Sequence, residues 1–222
     1  MTAPAAYRPV RLTGIPDTSL SRWLWLVKWA LAIPHVLALL FLWIAFVLVS
    51  VIAFFTILVT GRYPRPLFDF NLGVLRWTWR VSFYAYGALG TDRYPPFSLS
   101  EEPDYPAVLD VAYPGRLSRG LVLVKWWLLA VPHYLVISVL TGGSHGGWTE
   151  TGFIGLLVLI AAVALTFTGT YPRDLFDLII GLDRWVFRVA AYAALMTDEY
   201  PPFRLDLGGP DPGGRGNADG RP

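Results

Sequence analysis

Thr60-Gly61-Arg62-Tyr63-Pro64-Arg65 is followed by Leu67-Phe68-Asp69, Gly73, Arg76-Trp77, Arg80-Val81 and Tyr84, and the block closes with Thr91-Asp92 and Tyr94-Pro95-Pro96-Phe97. The same residues return as Thr168-Gly169-Thr170-Tyr171-Pro172-Arg173, Leu175-Phe176-Asp177, Gly181, Arg184-Trp185, Arg188-Val189, Tyr192, Thr197-Asp198 and Tyr200-Pro201-Pro202-Phe203. A period near 100 residues is too long for a solenoid unit and reads as a duplicated domain. The copies run over 1–99 and 100–207. The tail, 208–222, is mostly Gly, Pro, Asp and Arg and lacks the apolar surface needed to order itself.

Composition places both copies in lipid. Of 222 residues 55% are hydrophobic and only 15% charged, against about a quarter charged in soluble domains. Ten Trp, 11 Tyr and 13 Phe suit rings that line a membrane interface. A net charge of +2 is too small to argue for nucleic acid. The absence of Cys excludes disulfides and thiol chemistry. The apolar stretch 23–60 is far longer than a signal-peptide core, which predicts a retained membrane protein.

As one helix, 23–60 would reach almost 60 Å, about twice the hydrocarbon core. It is either one span preceded by an interfacial helix or two spans in a hairpin. Copy two carries about ten extra residues, Thr141-Gly142-Gly143-Ser144-His145-Gly146-Gly147-Trp148-Thr149-Glu150. A polar, Gly-rich insertion fits a hairpin tip better than a lipid-facing helix. The expectation is two hairpins, 23–60 turning near 41–44 and 121–168 turning at the insert. The insert has no Lys or Arg, so all basic residues fall towards one side, which the positive-inside rule makes cytoplasmic. The predicted protein is multi-pass in the cell membrane with both termini cytoplasmic. With an even number of spans per copy, the copies are expected to be parallel about an axis along the membrane normal.

Helices are predicted at 67–90 and 175–196. Arg76, Arg80 and Tyr84 are spaced four apart on one face, as are Arg184, Arg188 and Tyr192. Such helices are expected to lie in the interface, with Arg towards phosphates and aromatics towards acyl chains. A buried alternative pairs Asp69 with Arg76. Tyr-Pro-Pro-Phe must be extended. Short strands are expected at 97–99, 107–111 and 7–12. The fold class is thus an all-α integral membrane protein: a tandem repeat of four transmembrane helices in two hairpins, two interfacial amphipathic helices and short extended or β segments.

Leu20-Ser21-Arg22-Trp23, Lys28-Trp29 and Pro34-His35, with the Thr60–Arg65, Leu67–Phe70, Arg76-Trp77 and Thr91–Phe97 motifs, resemble the bacterial membrane family called domain of unknown function 4389. The resemblance covers about 7–99 and 105–206. Copy two departs at Thr170 and Asp174, where copy one has Arg62 and Pro66, and by its insert. The resemblance implies an integral membrane protein of bacteria and supplies no activity or catalytic residue.

Several residues invite chemistry. His35 and His133 each follow a Pro within an apolar stretch. They can form a proton-handling pair, or each can bond a carbonyl freed by its proline. With Asp69 and Asp177 they make a possible polar pseudo-symmetric site, although a helix N-terminal carboxylate with a salt bridge explains each Asp better. Ser21 and Ser118 read as N-caps. No spacing resembles a metal site, and no catalytic residue or cofactor is expected. Arg62, Arg65, Arg76, Arg80, Arg173, Arg184 and Arg188 are expected to form a basic band that binds anionic lipid or a membrane protein partner. The expected function is a non-enzymatic membrane accessory or scaffold. The alternatives are a small transporter or channel component, and more weakly a lipid-modifying membrane enzyme. Oligomeric state does not follow from these residues.

Overall fold

The repeated Thr-Gly-x-Tyr-Pro-Arg motif ends one helix and starts the next in both copies. The computed structural model describes residues 9–142, 152–203 and 205–207. In copy one, α1 spans Trp25–Thr60 and ends at Gly61, whose φ of 71° lets its N–H bond Ile57 O at 2.7 Å. That left-handed cap favours glycine. Pro64 is extended and α2 runs Arg65–Ala85 with Pro66 in its first turn, where a missing N–H costs nothing. In copy two, Gly169 (φ 73°) caps α5 (Phe153–Thr168), and α6 runs Arg173–Ala193.

Copy one contains no hairpin. α1 is one helix of 36 residues, about 54 Å long, with no turn at 41–44 and with Pro34 inside it. Its most apolar window has mean hydropathy 3.0 and is only 17% buried. It is therefore long and apolar enough to cross a membrane. In copy two the matching stretch is α3 (Arg119–Val124), a π-helical turn (Lys125–Leu129), α4 (Val131–Thr141), bent by 44° from the segment before it, and α5.

The ends of these helices show that copy two is not a hairpin either. Leu117 N donates to Gly61 O at 2.9 Å, so α3 begins where α1 ends. Trp25 Nε1 donates to Thr166 Oγ1 at 3.0 Å, so α5 ends where α1 begins. The two ends of copy two therefore lie a full α1 length apart. Laid end to end, α3 to α4 and α5 reach nearly 60 Å, which matches. Gly142 and Gly152 abut: a Cβ on Gly152 would lie 2.1 Å from Gly142 N. The expected hairpin tip at 143–150 lies outside the described residues.

The copies are thus related by a pseudo-two-fold axis. It passes between β1 (Val10–Gly14) and β2 (Ala107–Val111), which pair antiparallel with Leu12 opposite Leu109 and Val10 opposite Val111. Repeat-equivalent arginines clasp this pair. Arg76 Nε donates to Leu109 O at 3.0 Å and Arg184 Nε to Leu12 O at 2.9 Å. The strand expected at 107–111 forms, the one expected at 7–12 forms at Val10–Gly14, and 97–99 forms none.

α2 and α6 are not interfacial. They are the most buried helices, with Phe68, Trp79, Phe83, Phe187 and Val189 in the core. α2 lies on α1, α6 on the helices of copy two, and the strands on α2 and α6. The order of layers is long helices, then α2 and α6, then the strand pair.

Candidate functional site

The closing motif of each copy folds back onto the start of that copy's long helix. In copy one the Lys28 ammonium is buried, 2.7 Å from Asp92 Oδ1, and donates to Thr91 O at 2.7 Å. Asp92 Oδ2 accepts from Ser21 N at 2.6 Å, and the Lys28 ammonium lies 5.3 Å from the Tyr84 ring centroid. Copy two repeats this lock. Lys125 lies 2.7 Å from Asp198 and 2.9 Å from Thr197 O, Ser118 N donates to Asp198 at 2.6 Å, and Tyr192 lies 5.6 Å below.

Two turns on, an aromatic box closes round each histidine. The Pro-Pro pair holds the chain extended, so Tyr94 and Phe97 both reach back to His35. Phe97 stacks on the imidazole at 3.9 Å and Tyr94 lies at 4.8 Å. Trp77 Nε1 donates to His35 Nδ1 at 3.1 Å. This corrects the expectation of an imidazole bonded to a proline-freed carbonyl. His133 is boxed by Phe203 at 4.3 Å, Tyr200 at 4.8 Å and Trp185 at 5.8 Å. Its ring nitrogens and Trp185 Nε1 are buried without a hydrogen-bond partner.

The copies reach this common geometry from different spacings. Lys28 and His35 are seven residues apart, whereas Lys125 and His133 are eight apart. The π-helical turn Lys125–Leu129 lies between the latter two and absorbs the extra residue. Both side chains thereby keep their sites.

Other expected site residues are not brought to the boxes. Asp69 is exposed and pairs with Arg65 at 3.1 Å, not with Arg76. Asp177 is half-buried on α6. Among the described residues neither is bonded to His35 or His133. Of the arginines expected to face lipid, four are bound within the protein. Arg76 holds Leu109 O and lies 3.0 Å from Asp110, and Arg80 donates to Ser98 O and Ser100 O. Arg184 holds Leu12 O and Asp206 O, and Arg188 lies 2.6 Å from Asp206. Arg62, Arg65 and Arg173 are exposed. Arg62 gathers with exposed Arg116 and Arg119 where α1 ends. Arg119 Nε lies 3.5 Å from the Cβ position of Gly61. At the other end Arg22 meets Gly169.

Sequence reasoning missed Lys28, Asp92, Lys125 and Asp198 as partners, although all four recur between the copies. It also missed Asp183, which stands where the repeat has Leu75. Asp183 is 4% exposed, its Oδ2 has no hydrogen-bond partner, and burial pushes its carboxyl well above the usual carboxylate range. Among the described residues no three His, Asp or Glu converge as a metal site would require. A cavity of about 500 Å³ lies between the copies, walled by Phe46, Phe54 and Phe55 of α1, Trp126, Tyr134 and Ala193. Its walls are suited to hydrocarbon.

The chain matches the family described as Domain of unknown function (DUF4389) over residues 22–98 and again over 148–204, more than half its length. It belongs to this family. The first match, from Arg22 to Ser98, holds the box and every lock residue of copy one but Ser21. The second begins beyond Lys125 and His133 and takes in their partners Asp198, Tyr200 and Phe203. The elements that the DUF4389 match covers are therefore the long helix, the buried helix and the loop that closes over them. No curated protein and no solved structure matches the chain.

Proposed function

We propose that this protein is a non-enzymatic membrane accessory or scaffold, embedded through its long helices and holding anionic headgroups with exposed arginines at the helix ends. The observation that carries this reading is α1, which is apolar on every exposed side, with Leu37, Phe41, Leu48, Phe55 and Val59 among its bare residues. A helix apolar all round and yet uncovered by protein needs hydrocarbon around it. Arg62, Arg116 and Arg119 have no acidic partner among the described residues, which leaves them free for phosphate. The transporter alternative would need His35, His133, Asp69 and Asp177 to share one passage, and among the described residues no hydrogen bond or ion pair links these carboxylates to the histidines.

Carbonate washing followed by flotation with vesicles tests the proposal. The protein is expected to resist the wash and to float. Arg62→Gln with Arg119→Gln should weaken its preference for anionic over neutral vesicles, by about fivefold per arginine. Release by carbonate would refute embedding. An unchanged preference would refute the arginine assignment.

A further inference from the structure

We infer that the two long helices lie in the plane of the membrane within one leaflet and do not cross it. This deepens the embedded reading above and rests on it. A two-fold axis that exchanges two antiparallel helices runs perpendicular to the plane containing them. Here that axis also passes between β1 and β2, because Leu12 faces Leu109 at the centre of a symmetric register. The strands touch α2 and α6, which in turn lie on the long helices. The strand pair therefore sits over the middle of the helix pair, on one side of it only.

The two faces of this slab differ in chemistry. On the helix side, Phe41, Leu48, Leu135 and Val139 are exposed and apolar. Between Trp29 and Gly61 no residue of α1 is charged. The strand side carries Arg11 bonded to Asp110 at 3.0 Å, with Arg76 at 3.0 Å from the same carboxylate and Glu101 beyond it. Side chains of Arg11 and Glu101 are 45% and 57% exposed.

Depth decides between the two placements. Upright helices would put the strand pair, centred on their midpoint, level with the bilayer midplane, where exposed charges are costly. They would also be about 54 Å long in a core of about 30 Å. Lying flat, one layer of helices is about 10 Å thick and fits in half that core. The strands then face water, and the arginines at both helix ends sit at headgroup level on a single side.

The test uses the cysteine-free chain with single cysteines at Arg22, Arg62, Val108 and Leu48, in membrane vesicles of both orientations treated with an impermeant maleimide. Positions 22, 62 and 108 are expected to label from one and the same side, and position 48 only after detergent. Labelling of 22 and 62 from opposite sides would overturn the inference in favour of crossing, with embedding intact. Protection of 108 in both orientations would overturn it as well. Labelling of 48 without detergent, with release by carbonate, would overturn embedding itself. As a second measurement, nitroxides at Phe41, Leu48, Leu135 and Val139 should all report depths within about 15 Å of one phosphate plane, half the hydrocarbon thickness. Depths spread over both leaflets would sink the inference.

Discussion

Asp183→Asn should stabilise the protein, and by more as pH rises. Asp183 is 4% exposed and burial holds its carboxyl protonated well above the usual range. An unfolded Asp titrates near 3.9. Between that value and the raised folded one, the native state keeps a proton that the unfolded chain has released. The native state therefore loses stability with rising pH, at up to about 1.4 kcal/mol per unit. The window opens near pH 4 and closes at the folded pKa. Asn cannot ionise, so the variant lacks this loss. Tyr171, close enough to feel the charge, is itself pushed upward by burial first and Asp183 second, so it stays neutral between pH 4.5 and 8. A chain of this size shifts its melting point by roughly 2–4 °C per kcal/mol. The gap between variant and wild type should thus widen by up to about 3–6 °C per pH unit inside the window. Tryptophan fluorescence on heating in detergent micelles, from pH 4.5 to 8, measures it. Asp183→Leu, the residue copy one carries at Leu75, should abolish the same slope. A gap that stays flat or narrows as pH rises would refute the reasoning.

Removing one partner of a buried lock should be costly. Asp198→Asn is expected to lose about 3–5 kcal/mol, with Lys125→Met plus Asp198→Leu losing less, in a double-mutant unfolding cycle. His35→Phe keeps the stack on Phe97 but strands Trp77 Nε1, costing about 1–3 kcal/mol. His133→Phe strands no bonded group and should cost less in the same melting assay. Deleting Leu128 shortens the π-helical turn to the spacing of copy one and should be tolerated. Deleting Leu31 breaks the register of Lys28 with His35 and should lower the melting temperature sharply.

The repeat made much of the local structure legible. Thr-Gly-x-Tyr-Pro-Arg carries its own backbone instructions: a left-handed glycine, then an extended proline, then a helix start. The strand at 107–111 followed from its alternation, and Ser118 caps α3 as expected, with Leu121 N at 3.3 Å from its Oγ. Ser21 does not cap, because α1 begins only at Trp25. The four arginines at 76, 80, 184 and 188 were misread because a period of four places them on one face without saying what covers it. Here strand carbonyls and the closing loops do.

The amino-acid sequence by itself determined the duplication, the family, the apolar character of the long segments and the turn chemistry, because each depends on residue identity over a few neighbours. Only the tertiary structure decided that neither long segment doubles back and that Lys28 meets Asp92. It alone decided that Trp77 bonds His35 and that Arg184 reaches Leu12. Those are contacts between residues dozens to over a hundred positions apart.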